Sequence, residues 1–359
     1  MFLPSLLIIC YNLCMQKSNF SFATTKLIAI FLSVCLLSGC TKPAGLTSVT
    51  RDDLLGTAIT ISIYDNVPDR LFAQCFDEIA AIEARMSVNR KDSEISLLNE
   101  NTGGAFLVSD NIYALLQRAV YFSGVSGGAF DISIGPVMEL WRKDGHFETL
   151  PSPKEINEKL AYVGYEAITF PGSNMVSMEQ GMRLDLGAFA KGHALEVVRD
   201  ILLENGVRHA LLDFGGDIYT IGEKPDGSNW RVAIKTPIVG DNSLVCVIEV
   251  SDLCVMTSGG YERYFEQDGI YYHHILNPAT GYPAASDLLS VTVISAEITG
   301  ADALSTAGFV LGLEQGMIMI DKLEGYEAIF ITSAKEIYVT AGLKGKTTLL
   351  NTGFQLKGN

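Results

Sequence analysis

The most informative part of this chain is residues 289–312, LSVTVISAEITGADALSTAGFVLG, where an apolar strand turns over into an apolar helix. Asp302 and Thr306 are four residues apart near the start of that helix, and residues at this spacing share one helix face. A carboxylate and a hydroxyl both suit Mg²⁺, provided that a phosphate ligand supplies further oxygens. The alternative needs no metal: the helix dipole favours Asp302, and Thr306 bonds back to a carbonyl.

The first 39 residues have the composition of a targeting segment. Their apolar run of 13 residues, 27–39, is too short for a spanning helix, which needs about 20 apolar residues. The run leads into LSGC at residues 37–40, which resembles a bacterial lipobox. This resemblance implies that residues 1–39 are a lipoprotein signal peptide and that Cys40 carries the lipid. We therefore expect a membrane-anchored lipoprotein outside the cytoplasm, on the periplasmic side of the inner membrane. The alternative is an uncleaved N-terminal anchor.

Charge and cysteine usage narrow the class of protein. Residues 40–359 carry 24 basic and 41 acidic side chains, a balance of −17, which argues against nucleic acid and anionic headgroups as partners. About 320 residues can bury a large core, in one big domain or two lobes. Beyond residue 40, Cys75, Cys246 and Cys254 show no CxxC spacing and predict no zinc site. Cys246 and Cys254 could pair, but their context favours small buried hydrophobes.

Apolar periodicity predicts an α+β fold with mostly antiparallel or mixed sheets covered by helices. Residues 41–53 are polar and predict a tether. Helical periods cover residues 68–86, 110–123 and 190–205, and a short charged helix lies within 151–162. Alternating strands separated by Gly, Pro, Asp and Asn turns dominate the second half, which closes with two helices and two strands.

Five glycine-rich or polar turns stand out, and together they resemble the FAD:protein FMN transferases of the ApbE family. The resemblance extends from about residue 56 to residue 345. The turns are the loop 86–99, GGAFD at 127–131, LDLGAFAKGH at 184–193, LDFGGDI at 212–218, and the segment 257–281 with TSGGYE and HHILNPATG. This resemblance implies an ApbE-like (T-fold-like), two-lobed architecture over residues 54–350, with an FAD cleft between the lobes.

The resemblance also implies which residues contact FAD. Phe130 would offer a flat apolar face, Asp131 a carboxylate for ribityl or ribose hydroxyls, and Lys191 a positive charge beside the pyrophosphate. Asn89 stands where the family often has tyrosine. The implied FAD contacts are Asn89, Ala129, Phe130, Asp131, Asp185, Lys191 and Ile275.

The metal and the catalytic base follow from the same resemblance. Mg²⁺ would be bound by the carbonyl of Ala188 together with Asp302, Ser305 and Thr306. His274 lies in the family's histidine block and would accept the proton of an incoming hydroxyl, since an unperturbed imidazole titrates near neutrality. The alternative for His274 is a structural role at a strand end.

The function implied is Mg²⁺-dependent transfer of FMN from FAD to a threonine or serine of an acceptor flavoprotein, with release of AMP. One alternative uses water at the same site, as an FAD pyrophosphatase that gives FMN and AMP. A further alternative is a lipoprotein that binds FAD without chemistry.

Overall fold

The computed structural model describes residues 45–143 and 145–358, so the predicted signal peptide and Cys40 lie outside the described residues. Seven α-helices occur in this part of the chain. They are α1 (Asp69–Met86), α2 (Glu94–Glu100), α3 (Asp110–Val125), α4 (Gly135–Trp141), α5 (Pro153–Leu160), α6 (Ala190–Glu204) and α7 (Ile298–Asp321). Short 3₁₀ helices lie at Tyr165–Ala167 and Ala341–Leu343. The predicted helices are therefore confirmed, with boundaries shifted by a few residues.

Nineteen strands occur in residues 45–143 and 145–358. They are β1 (Thr47–Leu54), β2 (Thr57–Ile63), β3 (Ala105–Leu107), β4 (Arg142–Lys143), β5 (His146–Phe147), β6 (Thr169–Gly172), β7 (Met175–Ser177), β8 (Ala210–Phe214), β9 (Asp217–Ile221), β10 (Trp230–Lys235), β11 (Leu244–Val250), β12 (Cys254–Gly259), β13 (Tyr264–Gln267), β14 (Ile270–His273), β15 (Leu288–Ser295), β16 (Tyr326–Thr332), β17 (Glu336–Val339), β18 (Thr348–Leu349) and β19 (Gln355–Lys357). A nine-stranded sheet has the order β1-β2-β8-β9-β12-β15-β16-β17-β19, and its neighbours are antiparallel except β17 and β19. The predicted α+β class with mostly antiparallel sheets is confirmed.

The two faces of this sheet bury different partners, because successive residues of a strand point to opposite sides. Val291 and Val293 of β15 face the larger cluster of buried apolar residues, to which α1, α3, α6 and α7 contribute. Ile294 of β15 and Ile329 of β16 face a second cluster, built with the small sheet β10-β11-β18. Residues 45–359 thus form one compact unit with a core on each face of the sheet.

Helix α7 is the long apolar helix expected from the sequence. Its first half is almost wholly buried against β12, β15 and β16. Gly312 interrupts the helix with φ 77° and ψ 179°, a conformation open to glycine but strained for other residues, so α7 is in effect the two predicted helices. Its length and composition would allow it to span a membrane, but half of its most apolar window is buried in the protein, which identifies it as a core helix.

The structure corrects the predicted tether at residues 41–53. Residues 47–54 form β1, which pairs antiparallel with β2 from Thr47 opposite Ile63. Hydroxyl pairs hold the exposed face together, with Ser48 Oγ 2.8 Å from Ser62 Oγ. Short polar side chains suit an exposed edge strand as well as they suit a linker, and this is why composition alone was misleading.

The three cysteines in the described part of the chain are buried and unpaired. Cys246 lies in β11 and Cys254 in β12, each within an apolar cluster. The prediction that they act as small hydrophobes is confirmed, and the alternative of a disulfide between them is wrong.

Candidate active site

The contact between the start of α6 and the first half of α7 forms the centre of the candidate site. The segment before α6 is fixed by Asn99, whose amide exchanges two hydrogen bonds with the backbone of Leu184, of 2.6 and 2.9 Å. The turn continues through Asp185, whose Oδ1 accepts the N–H of Gly187 at 2.8 Å. Helix α6 then begins at Ala190, and Gly192 donates its N–H to Oδ2 of Asp302 at 2.8 Å.

The start of α6 and the first half of α7 each present an oxygen that accepts no hydrogen bond. Gly192 is the third residue of α6, so its N–H is one of the first-turn donors that have no partner within a helix, and Asp302 accepts it. Within residues 45–143 and 145–358, no donor bonds the carbonyl of Ala188 or Oδ1 of Asp302. The carbonyl of Ala188, two residues before α6, and a carboxylate oxygen are therefore both available to a ligand, and their role as metal ligands stays a prediction.

Only glycine at position 192 permits this approach of the two helices. A Cβ on Gly192 would lie 2.8 Å from Cβ of Asp302 and 3.1 Å from Cα of Thr299. Both distances are shorter than the usual contact between packed carbon atoms, so packing requires the second glycine of LDLGAFAKGH.

Lys191 is held beside the same contact by a buried carboxylate. Its Nζ donates to Oδ2 of Asp217, whose Oδ1 accepts the N–H of Thr257 at 2.9 Å. The side chain of Asp217 is only 2% exposed and that of Lys191 is 22% exposed. Burial acts to lower the pKa of Lys191, but the charges of Asp217 and Asp302 outweigh it and raise that pKa. Lys191 therefore stays charged at neutral pH.

Burial acts on the pKa of the Asp302 carboxylate in the direction opposite to its action on the pKa of Lys191. Asp302 is 5% exposed, and burial raises its pKa, which Lys191 partly opposes. A buried carboxylate with a raised pKa gains most from a bound cation, because the cation replaces the missing solvation. The carboxylate of Asp302 therefore favours a positively charged ligand.

Two neighbouring hydroxyl groups on α7, those of Thr306 and Ser305, differ in how far they are available to a ligand. Thr306 is half-buried, and its Oγ1 lies 3.1 Å from Oγ of Ser258. Ser305 is fully buried, donates to the carbonyl of Asp302 at 2.8 Å and contacts Ser258 Oγ at 2.8 Å. The prediction of Ser305 as a metal ligand is corrected: its hydroxyl is used to fix the helix to β12.

Side chains alone do not make a metal site here. In the described ranges, no group of three His, Cys, Asp or Glu side chains is arranged to bind a metal ion. A cation beside Asp302 would depend on carbonyl, hydroxyl and ligand oxygens, and this mixture suits Mg²⁺, which commonly takes one or two carboxylates plus substrate phosphates.

His274 directly follows β14 and is half-buried. Its Nδ1 lies 3.1 Å from the carbonyl of Arg263. Since a carbonyl can only accept, Nδ1 must carry the proton, and Nε2 keeps its lone pair. Burial, with a contribution from the charge of Arg263, lowers the pKa of His274 to about 4. The side chain is therefore a neutral imidazole at pH 7, with Nε2 able to accept a proton.

Asn89 and Asp185 line a separate small cavity of about 150 Å³. Asn89 is exposed at its rim. Arg142 enters from β4 and pairs with Oδ2 of Asp185 at 2.6 Å, so both oxygens of Asp185 already have partners. A ligand entering this cavity would meet the remaining guanidinium donors of Arg142 and the amide of Asn89.

The structure does not support the predicted side-chain contacts of the GGAFD turn or of Ile275. Phe130 is 4% exposed and packs on Phe189 with ring centroids 5.7 Å apart. Asp131 accepts the N–H and hydroxyl of Ser133 and the N–H of Tyr165, so both of its oxygens already have partners within the protein. Ala129 and Ile275 are also buried in the larger cluster. Backbone groups of these residues remain the part that a ligand could contact.

Sequence analysis assigned no role in the site to four residues that build it. Asp217 binds Lys191, and Ser258 of β12 contacts Thr306. Asn99 fixes Leu184, and Arg142 pairs with Asp185. Asp217, Ser258 and Asn99 carried a signal, because all three lie in the motifs that resemble one family, whereas Arg142 lies outside them.

Comparison with known proteins identifies the group to which this fold and site belong. The family model described as "ApbE family" matches residues 55–330. A protein of Treponema pallidum named FAD:protein FMN transferase is 34% identical over 348 residues, which is 90% of this chain and 96% of that protein. A Klebsiella pneumoniae protein of the same name is 35% identical, with 84% and 95% of the two chains covered.

Solved structures agree with the sequence relatives. The ApbE protein of Thermotoga maritima superposes with a TM-score of 0.78 at 31% identity, covering 84% of this chain and 99% of that one. Flavin transferase ApbE from Vibrio cholerae gives a TM-score of 0.76 at 30% identity, with 85% and 100% covered. The family model, the relatives and the solved structures each match most of this chain, and the chain belongs to the ApbE family.

Proposed function

We propose that this protein is an FAD:protein FMN transferase, which moves FMN from FAD to a hydroxyl of an acceptor flavoprotein. The relatives that span nearly its whole length carry that name. The observation that carries the proposal is the hydrogen bond between Gly192 and Asp302. It brings the LDLGAFAKGH turn against α7, where the charge of Asp302 acts on Lys191.

The donor set fits a magnesium ion. The carbonyl of Ala188, Oδ1 of Asp302 and Oγ1 of Thr306 would hold the ion, and the pyrophosphate of FAD would supply further oxygens. Bound there, Mg²⁺ would neutralise pyrophosphate charge and make AMP a better leaving group. The support is the unpaired carbonyl and carboxylate oxygen described above.

The protein's own side chains supply the remaining chemistry. Nε2 of His274 accepts the proton of the acceptor's threonine or serine hydroxyl. That oxygen forms a bond to the FMN phosphorus, while the bond from this phosphorus to the bridging oxygen breaks and AMP leaves with that oxygen. Lys191 lies beside the pyrophosphate and stabilises its charge.

A second candidate uses the same residues with water as the nucleophile. A neutral His274 with a free Nε2 would activate water as readily as a hydroxyl, so FAD pyrophosphatase activity, giving FMN and AMP, is the alternative. A carrier that only binds FAD would have no use for the buried carboxylate and free carbonyl at the start of α6.

One assay separates these functions. The piece lacking residues 1–40 retains the whole compact unit and is incubated with FAD, Mg²⁺ and an acceptor flavoprotein. We expect the acceptor band to become fluorescent in a denaturing gel, with release of AMP in equal amount. Free FMN without a labelled acceptor would instead indicate hydrolysis, and intact FAD would indicate a carrier.

For location we propose a lipoprotein signal at residues 1–39 with lipid on Cys40, from the LSGC sequence alone. The acceptor flavoproteins would then face the periplasmic side of the inner membrane. In cells fed a labelled fatty acid, the wild-type chain should carry label and Cys40→Ser should not. Label retained by Cys40→Ser would overturn this part of the proposal.

A further inference from the structure

A group of charged and hydroxyl side chains lies one helical turn away from the Gly192–Asp302 contact. Arg118 of α3 pairs with both oxygens of Glu196 on α6, at 2.6 and 3.3 Å, and also with Glu297 at the start of α7. Thr299 of α7 donates its hydroxyl to Oε2 of Glu196 at 2.5 Å. We call these four residues, Arg118, Glu196, Glu297 and Thr299, the Arg118 network.

The network ties the same two helices that carry the candidate site. Glu196 is four residues after Gly192 on α6, and Thr299 is three residues before Asp302 on α7. The helices are therefore joined at two levels, by Gly192 to Asp302 at 2.8 Å and by Glu196 to Thr299 at 2.5 Å. Two contacts one turn apart fix both the slide and the rotation of α7 on α6, whereas one contact leaves rotation free.

Further hydrogen bonds and burial hold the Arg118 network in place. Oε2 of Glu297 accepts the N–H of Gly300 at 2.6 Å, which caps α7, and the hydroxyl of Tyr326 at 2.7 Å. Thr299 is fully buried. Burial acts to raise the pKa of Glu196, but hydrogen bonds from Arg118 and Thr299 outweigh it and lower that pKa. Glu196 therefore stays charged and keeps accepting from Thr299 at neutral pH.

We propose that Thr299 and Glu196 are positioning residues, which set the place of Asp302 relative to the carbonyl of Ala188 and so tune the affinity for the divalent cation. This inference rests on the proposed function, because it concerns the same metal site. Both residues act through Asp302 and are not among the proposed ligands of the cation. Groups that orient metal ligands in this way commonly change affinity by about 10- to 100-fold when removed.

The test compares isosteric variants of the full-length chain in detergent. Thr299→Val keeps shape and removes the hydroxyl, Thr299→Ser keeps the hydroxyl, and Glu196→Gln keeps an acceptor while removing charge. The matched control is Thr340→Val, because Thr340 is also buried and donates to a glutamate, Glu327, but lies in the segment after β17. Mn²⁺ binding in the presence of FAD is followed by electron paramagnetic resonance, and unfolding is followed by circular dichroism.

We expect Thr299→Val to weaken Mn²⁺ binding about 10-fold or more, Glu196→Gln to weaken it less, and Thr299→Ser and Thr340→Val to bind as the wild type does. Wild-type affinity in Thr299→Val, with a loss of stability equal to that of Thr340→Val, would overturn the positioning role and leave the proposed function intact. A wild-type chain that binds no Mn²⁺ with FAD present would overturn the metal site itself, and this inference with it.

Discussion

The backbone N–H of Gly192 donates to Oδ2 of Asp302 across 2.8 Å, joining residues 110 positions apart. This single hydrogen bond satisfies a first-turn donor of α6 that has no partner within the helix. It also uses only one oxygen of the buried carboxylate, so that Oδ1 stays available to a ligand.

Asp302→Asn should abolish turnover and keep the fold. Asparagine retains an oxygen for the N–H of Gly192 but loses the charge that attracts a cation. We expect a loss of about 100-fold or more in the rate of FMN transfer, measured by fluorescence of the labelled acceptor. Asp321→Asn, at the exposed end of the same helix, is the control and should retain activity. Full activity in Asp302→Asn would contradict the metal assignment.

Gly192→Ala should destabilise the protein and impair the site. The new methyl would lie 2.8 Å from Cβ of Asp302 and push α6 away from α7, at a cost of about 1–3 kcal/mol in the free energy of unfolding. Gly124→Ala is the matched control, because it lies in α3 and meets only Tyr165 at 3.7 Å. Urea denaturation should show the control to be stabilised by up to about 1 kcal/mol. Equal behaviour of the two variants would refute the close-packing argument.

Asp217→Asn should lower the free energy of unfolding by about 3 kcal/mol, because it leaves the charge of Lys191 buried without its main partner. Adding Lys191→Met removes that unpaired charge, so the double variant should recover part of the stability. The measurement is chemical denaturation of both variants. A double variant no more stable than Asp217→Asn alone would show that the ion pair is not what matters at this position.

His274 should titrate far below an ordinary histidine. Its pKa of about 4 means that the folded protein resists protonation while the unfolded chain accepts a proton near pH 6.5, so stability falls as pH drops from 6.5 towards 4. Because His274 does not titrate in this range, its protonation should not lower kcat/KM for FMN transfer between pH 8 and pH 6. NMR titration of the imidazole checks the value, with His274→Asn for assignment. Arg263→Gln should raise the pKa of His274, because it removes the positive charge and keeps the backbone carbonyl of residue 263. A titration midpoint near 6.5 in the wild type would refute the prediction.

Local patterns in the sequence were sufficient for most of the fold. The helical period of residues 68–86 gave α1, and alternation gave β10 and β11 with their boundaries. The edge strand β1 could not be predicted, because short polar residues suit a linker and an exposed strand equally. Its strand state is decided by pairing with β2, which is tertiary information.

The candidate site also contains residues that the sequence could identify and residues that it could not. Asp302, Thr306 and Lys191 were visible as polar residues in apolar or glycine-rich motifs. Ser305 and Asp131 looked equally suitable, but the structure shows their polar atoms engaged with neighbours in the protein. Whether a polar side chain faces a ligand or its own backbone depends on packing across segments that are far apart in the chain. Arg142 gave no local signal, and the loop motif 86–99 contained Asn99 without showing that Asn99 would bond Leu184.

The three buried thiols have a practical consequence. Burial raises the pKa of Cys75 and Cys246 to about 12 and that of Cys254 further still, so none forms the reactive thiolate at neutral pH. No crosslink within residues 45–143 and 145–358 holds the fold together. Glutathione, dithiothreitol or mild oxidants should therefore leave the fold of residues 45–358 unchanged, and the piece lacking residues 1–40 should reach the same fold in a reducing cytosol as in an oxidising compartment.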